Sequence, residues 1–487
     1  MTTTTHSPTQ YEVVIGLEVH VQLITASKLF SSAPARFGDA PNTNITPVCV
    51  ALPGVLPVLN GKALEYAVRI GLALNCEIAR LTKFDRKQYF YPDLPKAYQI
   101  SQYDRPVCGL GHLTLSNGRR VGITRAHLEE DAGKLVHAGA AGLAGSTHSL
   151  VDLNRSGAPL VEIVSEPDIR SAAEAREYMQ TIRNLVRYLG VCDGNLEEGS
   201  MRCDANVSLR PVGSQVYGTK TEIKNMNSFR SVERAIESEV ARQLELIQAG
   251  QPIVQESRLW NDATGTTLPM RSKEEAHDYR YFPEPDVPPM RLSEAFIEGM
   301  RASQPELPHQ RIDRLQAEFD LSAYDATVLT DNKELGDLFY TAAAHTTAYK
   351  TLANYLQGDI VGWLKAEKVA LADAPLTPEA LAELATLTEA KEISSAIAKQ
   401  LLPVLLTQGG MPSALLESMG LKQMDNEAEL EAMVAQVLAD NPAQVAQYRA
   451  GKDKLFGFFV GQLMKQTQGR ANPDTLNRLV KAALAGE

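Results

Sequence analysis

The sequence predicts an α+β fold in which a mainly antiparallel sheet with a few helices is followed by helical domains. Residues 11–290 mix short segments of alternating polarity with turns rich in Gly, Pro and Asn, and only two long helical patterns interrupt them. Beyond the proline-dense stretch 282–289, almost every segment has helical periodicity. At 487 residues the chain is too long for one compact core, so about two to four domains are expected.

Composition and charge exclude several classes of protein. Apolar residues make up 44% and charged residues 22%, and the net charge of −11 argues against a chain that coats nucleic acid through its overall charge. No apolar run is long enough for a membrane helix. Residues 1–10 are Thr-rich and lack the apolar core of a signal peptide, so we expect a disordered tail and a cytoplasmic protein. The five scattered cysteines fit reduced thiols.

The first predicted strand covers residues 11–23. Its odd positions from 13 onward are apolar, whereas Glu18, His20 and Gln22 share the other face. A carboxylate and an imidazole two residues apart on one face can hold the same ion. A strand with an ordinary solvated face gives the same pattern, so the segment alone leaves both interpretations open.

Two further strands and an acidic segment repeat this arrangement, which favours an ion site. The strands are predicted at residues 200–210 and 219–224, and the acidic segment, 127–134, is expected to be a loop. Carboxylates with few soft ligands nearby suit Mg²⁺, and adjacent cations and amides suit phosphate oxygens. The polar positions are Arg202, Asp204, Asn206 and Ser208 in the first strand, Lys220, Glu222 and Lys224 in the second, and Glu129 and Glu130 in the acidic segment.

Two long helices are predicted within the sheet region. One begins after Ser171, with Glu174 completing a capping box, and ends at Gly190. The other follows Ser228 and ends near Gly250. Because strands and helices do not alternate strictly, the pattern predicts α+β rather than a parallel α/β sheet.

The rest of the chain is predicted to be helical, with a break at residues 409–412. The predicted helices include 292–303, 331–346, 352–368 and 378–387. Residues 446–486 contain seven basic and two acidic residues, a net charge of +5. Contact with a phosphate backbone is one interpretation of this excess, and a small helical domain with a solvated face is the other.

Several familiar catalytic motifs are absent from the sequence. It has no P-loop, no dinucleotide-binding glycine fingerprint, no Gly-x-Ser-x-Gly elbow and no His-Glu-x-x-His helix. Phosphoryl transfer on an antiparallel sheet, with magnesium held by carboxylates, remains compatible with the residues present. Cations that face phosphate could come from segments 83–87 and 152–155, although each by itself also fits a surface turn.

A series of segments resembles the B subunits of tRNA-dependent aspartyl/glutamyl amidotransferases, and the resemblance runs from about residue 11 to the C-terminus. The segments are 15–20, 52–57, 83–87, 91–101, 127–134, 151–157, 163–168, 197–206, 222–229 and 278–286. The resemblance implies a cradle-shaped catalytic domain of the glutamine synthetase type, a helical domain and a small helical tail domain similar to YqeY proteins. We expect these domains at residues 11–293, 294–410 and 411–487.

The resemblance also implies a function. The family uses ATP and Mg²⁺ to activate the side-chain carboxylate of Glu or Asp on a mischarged tRNA, and ammonia from a separate glutaminase then displaces phosphate. The implied partners are that glutaminase, which is the A subunit of the complex, a small C subunit, and aminoacyl-tRNA, with no membrane. A stand-alone carboxylate–amine ligase and a non-catalytic tRNA-binding scaffold are the alternatives. The sequence does not say whether Glu-tRNA(Gln), Asp-tRNA(Asn) or both are used.

Residue roles follow from the resemblance position by position. The implied catalytic and magnesium-binding residues are Glu18, His20, Glu129, Glu130, Asp204 and Glu222. The expected ATP or substrate contacts are Arg86, Lys87, Lys96, Asn154, Arg155, Arg202, Asn206 and Lys224. The expected tRNA contacts in the tail are Lys452, Lys454, Lys465 and Arg470.

The chain departs from part of the family at one site. Some relatives hold structural zinc on four cysteines, and the matching positions here are Ser31, Ala33, Thr46 and Cys49. One thiolate cannot hold structural zinc, so we expect no zinc and a loop stabilised by packing alone.

Overall fold

The structure, a computed structural model, describes residues 10–137, 147–270, 279–421, 427–467 and 470–485. It confirms the α+β class, with a sheet-rich first part and a helical second part. The chain divides into two compact units, Met1–Leu307 and Pro308–Glu487. The tail predicted at residues 1–10 lies, apart from Gln10, outside the described residues. No helix in the described ranges has the length and apolar character needed to cross a bilayer.

The first unit contains the predicted sheet region. Its strands are β1 (Tyr11–Gln22), β2 (Leu81–Thr82), β3 (Asp85–Gln88), β4 (Tyr98–Ser101), β5 (Gly111–Thr114), β6 (Arg120–Glu130), β7 (Lys134–His137), β8 (Ser149–Asp152), β9 (Pro159–Ser165), β10 (Met201–Pro211), β11 (Thr221–Lys224), β12 (Ser257–Asn261), β13 (Thr266–Pro269), β14 (Phe282–Pro283) and β15 (Met290–Arg291). Its helices are α1 (Gly61–Ala73), α2 (Ala172–Tyr188), α3 (Phe229–Gln248) and α4 (Glu294–Ala302).

Eight of these strands form one sheet in the order β13-β12-β11-β10-β1-β9-β6-β5. Every neighbouring pair in it is antiparallel except β11 and β12, which are parallel. The three alternating strands predicted from sequence are β1, β10 and β11, and they are neighbours at the centre of this sheet. Smaller sheets join β14-β3-β4, β15-β2 and β7-β8.

The acidic segment that we predicted as a loop is instead the end of a strand. β6 continues through Glu130 and pairs with β9, so that Glu129 lies opposite Leu160. Because successive side chains of a strand point to opposite faces, Glu129 and Glu130 cannot share one face. The loop prediction is therefore wrong, and the difference decides which of the two carboxylates reaches the other polar residues.

The central sheet has one apolar face and one polar face. On β1, Leu17, Val19 and Val21 are buried, and they belong to the same hydrophobic cluster as Tyr178 of α2 and Ile236 of α3. Helix α3 packs on β10 and on α2. Burial of these apolar side chains stabilises the sheet on one side, and the intervening polar positions are left on the other.

Both helices predicted in the sheet region are confirmed, with caps that match their sequences. The Ser171 hydroxyl accepts the N–H of Glu174 at 3.1 Å, and the Ser228 hydroxyl accepts that of Ser231 at 3.0 Å. Each helix is followed by a glycine in the left-handed region, Gly190 at φ +66° and Gly250 at φ +69°.

The second unit is helical, as predicted. Its helices are α5 (Pro308–Phe319), α6 (Ala323–Asp331), α7 (Lys333–Ala343), α8 (Tyr349–Asn354), α9 (Val361–Glu367), α10 (Pro378–Glu389), α11 (Ser395–Gln408), α12 (Pro412–Ser418), α13 (Glu427–Asp440), α14 (Pro442–Arg449), α15 (Phe456–Gln466) and α16 (Pro473–Ala485). A π-helical turn, Tyr355–Ile360, joins α8 to α9, so the single helix predicted over 352–368 is a composite.

Packing groups these elements somewhat differently from the expected domains. Ile297 of α4 joins the hydrophobic cluster of the first unit, and α4 packs on α1. In the second unit one cluster extends from Leu315 to Leu421 and another from Leu430 to Leu484. Helix α12 therefore packs with the earlier cluster although we expected residues from 411 onward to belong to the tail domain.

Candidate active site

The polar face of the central sheet brings together residues from five strands, β6, β9, β1, β10 and β11. In the strand register His20 lies opposite Arg202 on one side and opposite Glu162 on the other, and Glu162 lies opposite His127. Two residues earlier on β1, Glu18 lies opposite Asp204. Strand pairing thus places two rows of ionisable side chains next to each other.

One cluster on this face, which we call the histidine group, comprises His20, Glu129 and Glu162. Their potential metal-ligand atoms all lie within 4.8 Å of one another. The Nε2 atom of His20 is 3.4 Å from Glu129 Oε1 and 3.3 Å from Glu162 Oε2. The Nε2 atom of His127 is 3.8 Å from Glu129 and 3.7 Å from Glu162, so two imidazoles face two carboxylates.

The charges in the histidine group strongly perturb one another. Burial disfavours the imidazolium, but hydrogen bonds to Glu129 and Glu162 outweigh it and raise the pKa of His20 to about 10. Burial also disfavours the ionised carboxylates, yet hydrogen bonds from His127 and His20 hold the pKa of Glu129 well below its usual range. The pKa of Glu162 is likewise lowered against the effect of burial, chiefly by His127. The contacts within this cluster therefore favour ionised carboxylates and a protonated His20.

A second cluster, the lysine group, comprises Glu18, Asp204, Glu222 and Lys224. Lys224 Nζ lies 2.7 Å from Asp204 Oδ2 and 3.0 Å from Glu222 Oε1. Asn206 donates from its amide to Glu18 Oε1 at 3.1 Å. One ammonium group therefore bridges two carboxylates, and Glu18 is held by an amide instead.

The carboxylates of the lysine group are not equivalent. Burial, followed by the charges of Glu162, Glu222 and Asp204, raises the pKa of Glu18. For Glu222 the effect of burial is outweighed by Lys224 and by a hydrogen bond from Ser257, and its pKa is lowered. Glu18 therefore lies in an excess of negative charge, which a bound cation would offset.

Glu130 is separated from both clusters. Its side chain accepts the backbone N–H of Ile100 at 2.9 Å and forms an ion pair with Lys96, while Glu129 on the other face contacts His20. The predicted contact residue Lys96 is thus paired with a predicted metal ligand. The two residues line a small pocket together with Lys28 and Cys49.

Among the predicted ATP or substrate contacts, Lys87 is coupled electrostatically to the histidine group. Burial opposes its charge, but Glu129 and other neighbouring acidic groups raise the pKa of Lys87. Its ammonium lies 4.9 Å from the ring centre of Tyr279, and Tyr281 stacks on Tyr103 at 4.3 Å. Lys87 therefore adds a positive charge near the carboxylates of the histidine group, next to the ring of Tyr279.

Two other predicted contacts are occupied by the protein itself. Arg86 forms a two-nitrogen contact with the buried Glu284, at 2.8 and 2.9 Å, and its guanidinium lies 4.3 Å from the ring centre of Tyr98. Asn154 donates to the carbonyl of Ala40 at 2.7 Å and accepts the N–H of Asn44 at 2.8 Å. These contacts anchor β14 and the loop around residue 42. Arg86 and Asn154 therefore have structural roles.

The predicted contacts Arg155 and Arg202 lie together on one carboxylate. Both approach Oδ2 of the buried Asp131, Arg155 through Nε at 3.3 Å and Arg202 through Nη2. Since Arg202 also lies opposite His20 in the strand register, this pair of arginines adjoins the histidine group.

Three residues of this site were not singled out from sequence: Glu162, His127 and Asp131. Glu162 is the only ionisable residue in the run Pro159–Ser165, and an acidic residue inside an apolar strand was a usable signal. His127 and Asp131 lie in the segment 127–134 that we had quoted for its two glutamates. The Nδ1 atom of His127 is buried without a hydrogen-bond partner in the described part of the chain.

The loop where some relatives hold zinc is stabilised by polar contacts around Cys49, so the prediction of packing alone is wrong. The hydroxyl oxygens of Ser31 and Thr46 lie 3.3 and 3.4 Å from the sulfur. The buried Lys28 donates to the sulfur at 3.5 Å and to the carbonyl of Leu153 at 3.1 Å. Burial acts in the other direction, but these hydrogen bonds lower the pKa of Cys49.

The positively charged tail residues lie around one helix of the second unit. Lys452 and Lys454 are exposed just before α15, and Lys465 is exposed in its last turn. Arg470 is partly buried and donates to the carbonyl of Thr467 at 3.2 Å. The same helix buries Phe459 and Leu463 in the core, while Lys465 in its last turn stays exposed.

The fold and the site define an α+β protein whose mainly antiparallel sheet carries a carboxylate-rich polar face, followed by helical elements. The family description "GatB/GatE catalytic domain" matches residues 13–298, and "GatB domain" matches residues 337–484. The chain therefore belongs to the GatB family.

Several curated proteins are similar to this chain over all or nearly all of its length. The aspartyl/glutamyl-tRNA(Asn/Gln) amidotransferase B subunit of Synechococcus sp. (strain JA-3-3Ab) is 56% identical over 490 aligned residues, covering 100% of both chains. Proteins of the same name from Thermosynechococcus vestitus and Trichodesmium erythraeum are 56% and 54% identical, covering 97% and 100% of this chain and 96% and 100% of the relatives.

Proposed function

We propose that this chain is the B subunit of a glutamine-dependent tRNA amidotransferase, a ligase that forms a carbon–nitrogen bond. It converts Glu-tRNA(Gln), Asp-tRNA(Asn) or both into the correctly amidated aminoacyl-tRNA. The observation that carries this proposal is the full-length identity of 54–56% to proteins of that name. The carboxylates and cations on the polar sheet face provide the chemistry that such a reaction needs.

The donor atoms on this face fit magnesium. Five carboxylates are grouped there with the imidazole of His20, and hard oxygen ligands are those that Mg²⁺ prefers. Burial and, after it, the neighbouring charges of Glu162, Glu222 and Asp204 raise the pKa of Glu18. We propose His20, Glu129 and Glu162, together with Glu18, Asp204 and Glu222, as the residues that hold the metal. His20 must lose its proton before its nitrogen can bind a cation.

ATP is the proposed co-substrate. Its γ-phosphoryl group passes to the side-chain carboxylate of the tRNA-bound Glu or Asp, and ammonia then forms the amide bond while phosphate leaves. Magnesium, when bound, would neutralise charge on the phosphates. Lys224, Lys87, Arg155 and Arg202 supply positive charge from the protein around the same face. Their role is to orient the phosphates while the reacting groups approach.

Three partners follow from the proposed function: a glutaminase that supplies ammonia as the A subunit, a small C subunit, and aminoacyl-tRNA. We propose that the complex works in the cytoplasm, where charged tRNAs are used. The tail cations Lys452, Lys454, Lys465 and Arg470 are proposed to contact tRNA phosphates.

Glutamine-dependent activity that requires the partner proteins tests the proposal. We expect the purified chain with ATP, Mg²⁺, glutamine and Glu-tRNA(Gln) or Asp-tRNA(Asn) to give no amidated product. Addition of the glutaminase and the small C subunit should give it, as measured by the release and separation of the tRNA-bound amino acid. Glutamine-driven product from the chain alone would show a self-sufficient ligase. An assembled complex that binds tRNA but never amidates it would show a scaffold.

Magnesium binding is expected to weaken as the pH falls. The weakening should begin at a higher pH than it would if every glutamate ligand had an ordinary pKa. Protons and Mg²⁺ compete for the same oxygens, and because the pKa of Glu18 is raised, its proton competes over a higher pH range. The half-saturating Mg²⁺ concentration for activity, measured from about pH 5 to 8, should rise on the acid side. Glu18→Asp, which keeps a carboxylate but shifts it, should alter this curve. A half-saturating concentration that stays constant over the whole series would contradict the expectation.

A further inference from the structure

Asp131, immediately after β6, is held rigidly at the edge of the polar face. Its backbone N–H donates to the carbonyl of Ala158 at 2.8 Å, and its carbonyl accepts the N–H of Gly157 at 2.8 Å. Its side-chain Oδ1 accepts the N–H of Ala132 at 2.9 Å. The residue is 4% exposed, so both the position and the orientation of its carboxylate are fixed by the fold.

The other oxygen, Oδ2, orients two arginines at once. Arg202 contacts it through Nη2 and Arg155 through Nε, while Arg155 also donates to the carbonyls of Ala132 and Gly133 at 3.0 and 2.9 Å. Both arginine side chains remain partly exposed: Arg202 is 36% and Arg155 is 41% exposed. The Nε atom of Arg202 has no hydrogen-bond partner in the ranges that the structure describes. Two guanidinium groups share one carboxylate, which leaves a net positive charge.

We infer that Asp131 is a positioning residue that holds Arg155 and Arg202 as a paired clamp for a phosphate group. This rests on the proposed function, because the clamp adjoins the histidine group through the register of Arg202 with His20. Guanidinium groups match the geometry of phosphate oxygens, and orienting them in advance removes the entropy cost of ordering two long side chains. The phosphate belongs either to ATP or to the tRNA backbone near its aminoacylated end, and the chemistry of recognition is the same.

Steady-state kinetics of Asp131→Asn in the assembled three-subunit enzyme test this role. The substitution keeps the shape of the side chain and removes its charge. We expect the KM for one phosphate-bearing substrate to rise about tenfold or more, with a smaller change in kcat. A rise in the KM for ATP assigns the clamp to the nucleotide, and a rise in the KM for aminoacyl-tRNA assigns it to the tRNA backbone.

Glu12→Gln is the matched control. Glu12 also pairs with two arginines, accepting from Arg210 Nε at 2.7 Å and lying 3.5 Å from Arg170 Nε, but it lies six residues before Glu18 on β1. It should leave both KM values near wild type. If Asp131→Asn behaves like Glu12→Gln in both KM values, the inference is overturned.

A mutant cycle separates positioning from a general effect on stability. If Asp131 acts through the two arginines, the Asp131→Asn/Arg155→Ala/Arg202→Ala variant should have nearly the same KM as the Arg155→Ala/Arg202→Ala variant. Independent effects would multiply and would overturn the inference. If Asp131→Asn does not assemble, Arg155→Lys and Arg202→Lys must each raise the same KM, and wild-type values in both would overturn it. Wild-type transamidation in the same assay shows separately whether the proposed function holds.

Discussion

Replacing Glu18 by Gln in the assembled enzyme is expected to lower ATP-dependent transamidation by about 1,000-fold or more while the affinity for aminoacyl-tRNA stays near wild type. Glu18 lies in the negatively charged lysine group, where its carboxylate is proposed to bind magnesium. Gln keeps the size of the side chain and can still hydrogen-bond Asn206, so the change removes mainly the charge. Single-turnover amidation and equilibrium tRNA binding measure the two quantities separately.

The control for this experiment is again Glu12→Gln, a carboxylate of the same strand that is paired with arginines away from the two clusters. It should change turnover by no more than a few-fold. Near-normal turnover of Glu18→Gln at saturating Mg²⁺ would show that the metal site is assigned to the wrong residues.

Removing residues 427–487 is expected to raise the KM for aminoacyl-tRNA about tenfold or more, because the deletion includes the basic segment 446–486 with the cations proposed to contact tRNA phosphates. The cut is placed before α13 because α12 belongs to the preceding hydrophobic cluster. Phosphate contacts set affinity without reading the aminoacyl group, so the preference among mischarged tRNAs should not change. Glutaminase activity of the assembled complex should remain.

Charge reversal at Lys452, Lys454 and Lys465 should reproduce part of this loss and reduce the dependence of tRNA binding on salt concentration. Reversal at Lys399, an exposed lysine of α11, provides a comparison outside the tail. A truncated complex with the wild-type KM and salt dependence would show that the tail cations form only a solvated helical face.

The parts of the fold that local sequence determines were predicted well. Alternation identified β1, β10 and β11, and serine caps with following glycines identified the ends of α2 and α3. In both cases the signal lies within a dozen or so neighbouring residues. The same alternation predicted that Glu18 shares a face with His20, which the structure shows.

Contacts between distant segments could not be predicted in this way. Whether Glu129 or Glu130 faces His20 depends on where β6 ends and on its register with β9, and neither follows from local composition. Arg86 and Asn154 have the residue types of phosphate contacts, yet partners far away in sequence, Glu284 and Ala40, occupy them. A motif match assigns a residue to a position in the family, but it does not show which other residues that side chain contacts in the fold.

The location of the ionisable groups at the middle of the eight-stranded sheet links ligand binding to the folding of the whole sheet. β1 is hydrogen-bonded to β10 on one side and to β9 on the other, so its amides can exchange with solvent only when central pairing opens. A cation that binds these side chains would stabilise the native state against that cooperative opening instead of ordering a local loop. Cation binding would then slow the hydrogen exchange of backbone amides in β1, β9 and β10 together. The cation-bound protein would therefore show greater protection of its core amides than the cation-free protein.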